Sequence, residues 1–591
     1  MIKKLNQVLA GFGLMFCLIA GVSGAARNTE TRIKKRQIPI KIQVTPWGPT
    51  QQQVEAAKLR AERSEAVQNL LKGTKYRLIE FKYLENENKS SQAKSPTRFR
   101  VAFYDYTNDR TIVAEGDFAG RETITVEEEF YQPSPNNEEF NEAVEIIKAD
   151  ASLGAALKSG GSKPFRPMPP TTVLDGTTER LVNVGLNSRG VSGNIEIVSV
   201  SIKRGEVIRY REGAPKSAKS APQSCGIPDA RQGTTAYGTP GQTQVTMTQN
   251  GTTLWEMLVI RPSASSGTWA SGIEIRDVKY KGKSVLKRGH VPVLNVEYTP
   301  NVCGPFRDWQ YGEGFFQVPE TGTTYPNETV PGKKDGGIAV LAAGQVATTS
   351  LETGNDTGNF QGVAIYQQNV GLGNEIVMVS EMDAGWYRYI MEWRFAEDGT
   401  IRPRYGFGAT DNPCVCSVHN HHAYWRLDFD IVNPINKVFQ VERGRKFMQP
   451  ITTEINRNKN FQTRRSLLIQ NSTGNEAYML VPNLSDGTVD EFGRNDFWVL
   501  RHKNVINGSF LQNEIDDGFT RLNGDCTETS GSCINITKFV NNESVVDEDV
   551  VVWYGAHFVH NDGANRLDPD RTGMVLTGSH VIGPDIRPVR W

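Results

Sequence analysis

The stretch HNHHAYWRLDFDI, His419–Ile431, decides how this chain is read. Three of the chain's eight histidines fall in its first four residues, at the head of what otherwise reads as an ordinary strand. In extended backbone the side chains at i and i+2 project from the same face, so positions 419 and 421 point together and His422 points the other way. That is the geometry of two metal ligands awaiting a third. Asp428 and Asp430 repeat the spacing with carboxylates, on the face opposite to Leu427 and Phe429.

Around this stretch the sequence is almost entirely β. From Cys225 onward, runs such as LWEMLVIRP, GIEIRDVKYKG, NEIVMVSEM, YRYIMEWRF, DFWVLRHK and DVVVWYG alternate with Gly, Asn and Asp turns, and no further linker interrupts them. A single large antiparallel β-sandwich over 216–591 explains this better than several small ones. Upstream, Thr50–Leu71 lacks Gly and Pro, opens on a capping threonine and predicts one helix. The runs YRLIEFKYL, TRFRVAFYDY, TIVAEGDFA and ETITVEEEFY then predict a meander, giving a small α+β domain over 46–131. The pattern recurs over 132–215: Phe140, Val144 and Ile147 at helical spacing, then ERLVNVGLN and IEIVSVSIKRGEVIRY. A Pro-, Ser- and Ala-rich linker follows, REGAPKSAKSAPQSCGIP.

With 591 residues the chain is too long for one core. Lysine plus arginine equals aspartate plus glutamate at 66 each, so no global field draws it to nucleic acid or an anionic membrane. The opening MIKKLNQVLAGFGLMFCLIAGVSGAA has signal-peptide anatomy over 1–26, followed by a linker or pro-segment over 27–45 containing the dibasic RIKKR. No other stretch is apolar and long enough to span a bilayer. Secretion is therefore expected. The remaining six cysteines, Cys225, Cys303, Cys414, Cys416, Cys526 and Cys533, suit disulfides, with Cys526 and Cys533 the easiest pair. Asn-x-Ser/Thr sequons at Asn88, Asn250, Asn327, Asn355, Asn471, Asn483, Asn507, Asn535 and Asn542 suit glycosylation.

The order of motifs resembles the copper-dependent, topaquinone-containing amine oxidases. GIEIRDVKYKGKSVLKRGHVPVLNVEY, AGWYRYIMEWRFAEDGTI, HNHHAYWRLDFD and DVVVWYGAHFVH each resemble a segment of that family, and the two small α+β units match its small domains. The resemblance implies copper on His419, His421 and a downstream histidine, His560 by its spacing from Trp553, with His557 as the fallback. Three imidazoles suit copper(II). It further implies that Tyr387 is the precursor of the quinone, Asp308 the catalytic base and Tyr298 the tyrosine that hydrogen-bonds the quinone. The implied reaction takes a primary amine and dioxygen to aldehyde, ammonia and hydrogen peroxide. Asp428, Asp430 and Asp549, with the carbonyls of Phe429 and Val550, are implied as a peripheral calcium site. An intertwined homodimer is implied in the same way.

Departures cluster at the quinone. Trp386 stands where the family has asparagine, and Arg388 where it has an acid. Asp308 lies three residues before Tyr311, where the family has four, and Cys414 and Cys416 sit just ahead of His419 in a shortened connection. A disulfide there is expected ahead of a thiolate ligand. The family's Glu-Asp-Trp-Pro after the third histidine is replaced by NRLDPDRTG. Two readings follow: a divergent secreted amine oxidase, or a catalytically inactive copper-binding glycoprotein of the same fold. A cupin-type oxygenase is excluded because its barrel is too small for this β region.

Overall fold

The computed structural model describes residues 38–84, 95–129, 132–133, 135–165, 167, 171–173, 177–188, 195–209, 242–262, 265, 272–297, 338–349, 360, 362–369, 373–384, 387–409, 419–444, 446–487, 495–502, 505–506, 510–511, 540–560 and 582–591. The expected signal peptide, all six remaining cysteines, Tyr298 and Asp308 lie outside these residues. Among the described residues no helix is long and apolar enough to cross a membrane.

Thr50 caps the helix Gln51–Arg63 through a capping box, its hydroxyl accepting from the Gln53 amide while the Gln53 side chain accepts from the Thr50 amide at 2.8 Å. The expected single helix is broken at Ser64. Its Oγ donates to the Ala61 carbonyl at 2.8 Å and accepts from the Val67 amide, ending one helix and starting Glu65–Leu71. Gly and Pro are not the only breakers, and a serine able to serve both ends stopped this one. Beneath lies a four-stranded meander, Tyr76–Leu84, Arg98–Asp105, Arg110–Asp117 and Thr125–Glu129, with Phe81, Phe99, Val101 and Phe103 packed on Val54, Ala57, Val67 and Leu71.

The second unit is built on the helix Asn137–Ala149, capped by the Asn136 side chain. Phe140, Val144 and Ile147 turn inward onto Val182, Val184, Val198 and Val200. Its sheet also contains Ser162–Phe165 and Thr171–Val173, two strands too short to show as alternation in the sequence. A buried clamp ties it to the first unit: Arg180 donates to both Glu139 oxygens at 2.8 and 2.7 Å, and the Tyr106 hydroxyl donates to the same carboxylate at 2.8 Å.

The large region has two large sheets and, among the described residues, a two-stranded ribbon of Val505–Ile506 with Phe510–Leu511. One has nine strands, ordered Lys41–Pro46, Gln242–Gln249, Thr252–Ile260, Glu274–Tyr280, Lys283–Glu297, His419–Phe429, Val550–His560, Phe497–Arg501 and Ile455–Arg457. The other has ten, ordered Ile338–Val340, Val363–Asn369, Asn374–Ala384, Tyr387–Ala396, Ile401–Ala409, Asp585–Arg590, Ala477–Val481, Ser466–Asn471, Asn436–Glu442 and Phe447–Pro450. Pairing is antiparallel except between Ile338–Val340 and Val363–Asn369. One expectation is corrected here: residues 41–45, assigned to a linker or pro-segment, belong to an edge strand of the nine-stranded sheet, with Val44 opposite Val245. KIQVTP alternates, but its partner lies some two hundred residues away and leaves no local trace.

Buried aromatic and branched side chains fill the space between the sheets, among them Trp255, Trp393, Trp425, Tyr405, Phe407, Leu427 and Val552. The strand Val550–His560 begins with three valines, a tryptophan and a tyrosine that are all fully buried, as expected for a strand covered on both faces. It lies directly beside His419–Phe429, and that pairing positions the site.

Candidate metal centre

His419–Phe429 pairs with Val550–His560 in one unbroken antiparallel register, running from 419 opposite 560, through 422 opposite 557, to 428 opposite 551. Directly opposed residues in such a ladder share a face, and faces alternate along each strand. Backbone positions 419, 421 and 560 therefore fall on one face of the nine-stranded sheet, and 422 and 557 on the other. Of the two candidates for a third imidazole, only 560 has the register of the first pair.

The His421 ring is fully buried against the ten-stranded sheet. Phe407 stacks on it with ring centroids 4.0 Å apart and planes 18° from parallel. Tyr387 meets it edge-on at 4.8 Å, and the Tyr389 hydroxyl lies 3.0 Å from Nδ1. Both tyrosines belong to the strand Tyr387–Ala396, where they share a face at i and i+2, and Phe407 comes from the next strand. Tyr389 thus engages Nδ1 of the ring. The donor chemistry thus fits copper: a buried imidazole held in plane by an aromatic face and oriented by a hydroxyl, with two further histidines at matching register positions. Tyr387 is itself fully buried, and Arg388, which follows it, is buried as well, donating through Nη1 to the Tyr387 carbonyl at 3.2 Å.

The opposite face carries a polar chain that the sequence did not announce. His422 Nδ1 lies 2.8 Å from His557 Nδ1, and His557 Nε2 lies 2.8 Å from Asp496 Oδ1. Lys459, also buried, stands 3.3 Å from that oxygen and donates to the Gly555 carbonyl at 2.6 Å, while its own amide donates to Asp496 Oδ2 at 2.6 Å. Next to it Asp486 accepts from the Tyr554 hydroxyl and from the Gly583 amide. Burial dominates the electrostatics. It pushes the His557 imidazole down to about 4, even though Asp496 pulls the other way, and it lowers Lys459 and raises Asp486. Asp496 alone of the two acids is held below the usual carboxylate range, by His557 and Lys459 acting against its burial.

The chain stands where the strand Phe497–Arg501 stops pairing with Val550–His560. Beyond that point the backbone is taken over by a loop: the Gly555 amide donates to the Asp496 carbonyl and the His557 amide to the Asp486 carbonyl. Gly487 makes the close approach possible. It adopts φ +61°, and a Cβ there would sit 2.1 Å from the His557 carbonyl oxygen.

At the far end of the same strand pair, Asp428, Asp430 and Asp549 bring a carboxylate oxygen each within 4.8 Å of one another, with Asp428 and Asp430 buried. Hard oxygen donors at that separation fit a calcium-type ion. His502 was not foreseen here; its two ring nitrogens lie 3.6 Å from Asp428 and 3.7 Å from Asp549. It directly follows the strand Phe497–Arg501, and no spacing in the sequence points to it.

Among solved structures, the fold is similar to a copper-containing benzylamine oxidase from Hansenula polymorpha, with a TM-score of 0.57 and 13% identity over 92% of this chain and 97% of that one. It is similar to Pichia pastoris lysyl oxidase, at a TM-score of 0.54 and 13% identity over 92% and 90% of the two chains. Aspergillus nidulans amine oxidase matches at 0.52 and 15%, over 92% and 88%. No protein-family model matches the sequence, and no curated protein matches it. The fold is that of the copper-containing amine oxidases: two small α+β units and a large antiparallel β-sandwich.

Proposed function

We propose that this chain is a divergent, secreted, copper-dependent primary amine oxidase that converts an amine and dioxygen to aldehyde, ammonia and hydrogen peroxide. The observation carrying this reading is the shared register of positions 419, 421 and 560 on the face where the Tyr387 ring meets His421 at 4.8 Å. Copper held by His419, His421 and His560 would supply the oxidation of Tyr387 to a topaquinone-type cofactor. The chain's own contribution is orientation. Phe407 sets the plane of the His421 ring, and Tyr389 fixes which of its nitrogens faces the ion. Close aromatic packing around Tyr387 excludes water from the ring that must react. Asp308 is proposed as the base that removes the substrate proton and Tyr298 as the hydrogen-bonding tyrosine; both lie outside the described residues. Calcium on Asp428, Asp430 and Asp549 would tie together the far ends of the two central strands, with the Phe429 and Val550 carbonyls completing the shell. The chain is proposed to act as a homodimer.

A second reading, an inactive copper-binding glycoprotein, is favoured by one specific observation: the residue after Tyr387 is a buried arginine in place of an acid. The two readings separate on a single measurement. Protein expressed with copper and oxygen is digested, and the peptide containing Tyr387 is weighed beside that of a Tyr387→Phe control. The oxidase reading expects the added oxygen of a quinone. Unmodified tyrosine in copper-loaded protein would sink it and leave the binding protein.

A further inference from the structure

The strand pair at the metal centre is buried on both faces, which creates a problem of register. A backbone ladder repeats every two residues and does not by itself choose an alignment. Hydrophobic alternation, which fixes register where only one face is buried, is weak here: Ala423, Tyr424, Trp425 and Leu427 are all fully buried, as are Val551, Val552, Trp553, Tyr554 and Ala556. Over 423–425 a slip of one residue would exchange apolar for apolar, and only the buried Arg426 and Asp428 further along would change polarity. The slip would also place position 419 opposite Val559 or Asn561, moving position 560 off the face that holds His421.

The polar chain on the opposite face discriminates. After the same slip His422 would face Ala556 or Phe558 instead of His557, which breaks the imidazole pair and leaves the buried Asp496 carboxylate with Lys459 alone, a costly loss of polar contacts in a low-dielectric interior. The hydrogens in this chain follow from one end. His557 Nε2 meets Asp496 Oδ1 at 2.8 Å as an electrostatic contact off the hydrogen-bond direction, and a carboxylate favours the ring's hydrogen on that nitrogen. That leaves Nδ1 of His557 as the acceptor and makes Nδ1 of His422 the donor. The chain therefore has a preferred direction.

We propose that Asp496, His557 and His422 are positioning residues that lock the two central strands in the only register that lines up the metal-binding histidines. The assignment rests on the oxidase reading for its metal. None of the three is a proposed ligand of the ion. Their effect would reach it through the backbone, because His422 follows His421 directly and His557 lies three residues before position 560.

Two near-isosteric variants test it. His422→Asn keeps an amide N–H where Nδ1 stood, whereas His422→Gln moves that donor outward to the Nε2 position. Both are similar in polarity, and metal-free melting checks that both are folded. Copper(II) affinity is measured by competition titration and the ligand set by electron paramagnetic resonance. The lock predicts wild-type affinity and spectrum for Asn, and for Gln a loss of about 10- to 100-fold with an altered nitrogen coupling pattern. His557→Gln, which keeps the donor toward Asp496 but removes the acceptor, is expected to match His422→Gln, and serves if the latter does not fold. Equal copper binding by the Asn and Gln variants, with unchanged spectra, overturns the assignment and leaves the oxidase reading standing. Wild-type protein that takes up no copper overturns both.

Discussion

The two faces of His419–Phe429 solve the same problem, a histidine buried in a β-sandwich, in different ways. On the face toward the ten-stranded sheet, His421 is surrounded by rings and touched by one hydroxyl. On the other, His422 opens a chain of imidazole, carboxylate and ammonium groups. The first environment suits the ion proposed above. The second draws its partners from the polypeptide itself. A histidine's fate in such a fold is thus set by one residue of strand phase, and neighbouring positions acquire unrelated tasks.

The largest effect expected from breaking this contrast is at the ring-lined face. His421→Ala should lower copper uptake by at least about a hundredfold, beyond the loss typical of residues that only support a ligand, and leave Tyr387 unmodified. Metal analysis and peptide mass would show it. Unchanged uptake would mean that the metal, if any, is bound elsewhere.

Acid should act on the opposite face. The His557 imidazole titrates near 4 when folded and near 6.5 when unfolded, so below about 6.5 the unfolded chain binds the extra proton first. Stability from this group is complete above that pH and is lost as pH falls toward 4, by up to roughly 3 kcal/mol. Urea unfolding of wild type and His557→Gln across pH 4–7 is the comparison: the wild-type slope should be steeper, and parallel curves would remove His557 from the account.

Gly487→Ala should cost at least about 2 kcal/mol, from left-handed backbone and a clash with the His557 carbonyl that no rotamer relieves. A thermal melt within a degree of wild type would show that the loop does not press on the strand as described. The smallest effect is expected from Tyr389→Phe. Losing the hydroxyl at His421 should weaken copper by about tenfold, with folding stability lowered by about 1 kcal/mol. If affinity is unchanged, packing by Phe407 alone orients the ring.

What was legible in the sequence follows the same division. The histidine spacing, the carboxylate pair at 428 and 430, the meander and the helix beginning at Thr50 are all local patterns, and local patterns can be read along a chain. Strand phase also carried the choice of face for 421 and 422. The polar chain could not be read, since His422, His557, Asp496 and Lys459 come from separate segments and none has a partner at a recognisable spacing. Lys459 and Asp486 sit in stretches that look like solvated turns. The strand Lys41–Pro46 was missed because strand identity there depends on a distant partner, and Ser64 because its effect on the helix comes from bonding two backbone groups rather than from low propensity.

The strand Asp585–Arg590 joins the two halves of the ten-stranded sheet, with Ile401–Ala409 on one side and Ala477–Val481 on the other. In order of synthesis it follows every other strand of that sheet. Until it leaves the ribosome, the strands through Ile401–Ala409, including the one that carries Tyr387, expose an open edge, as do the strands beginning at Ala477–Val481. Closure of the ten-stranded sheet therefore waits until this strand has been made. Until then folding leaves two unpaired edges that must be kept from joining other chains.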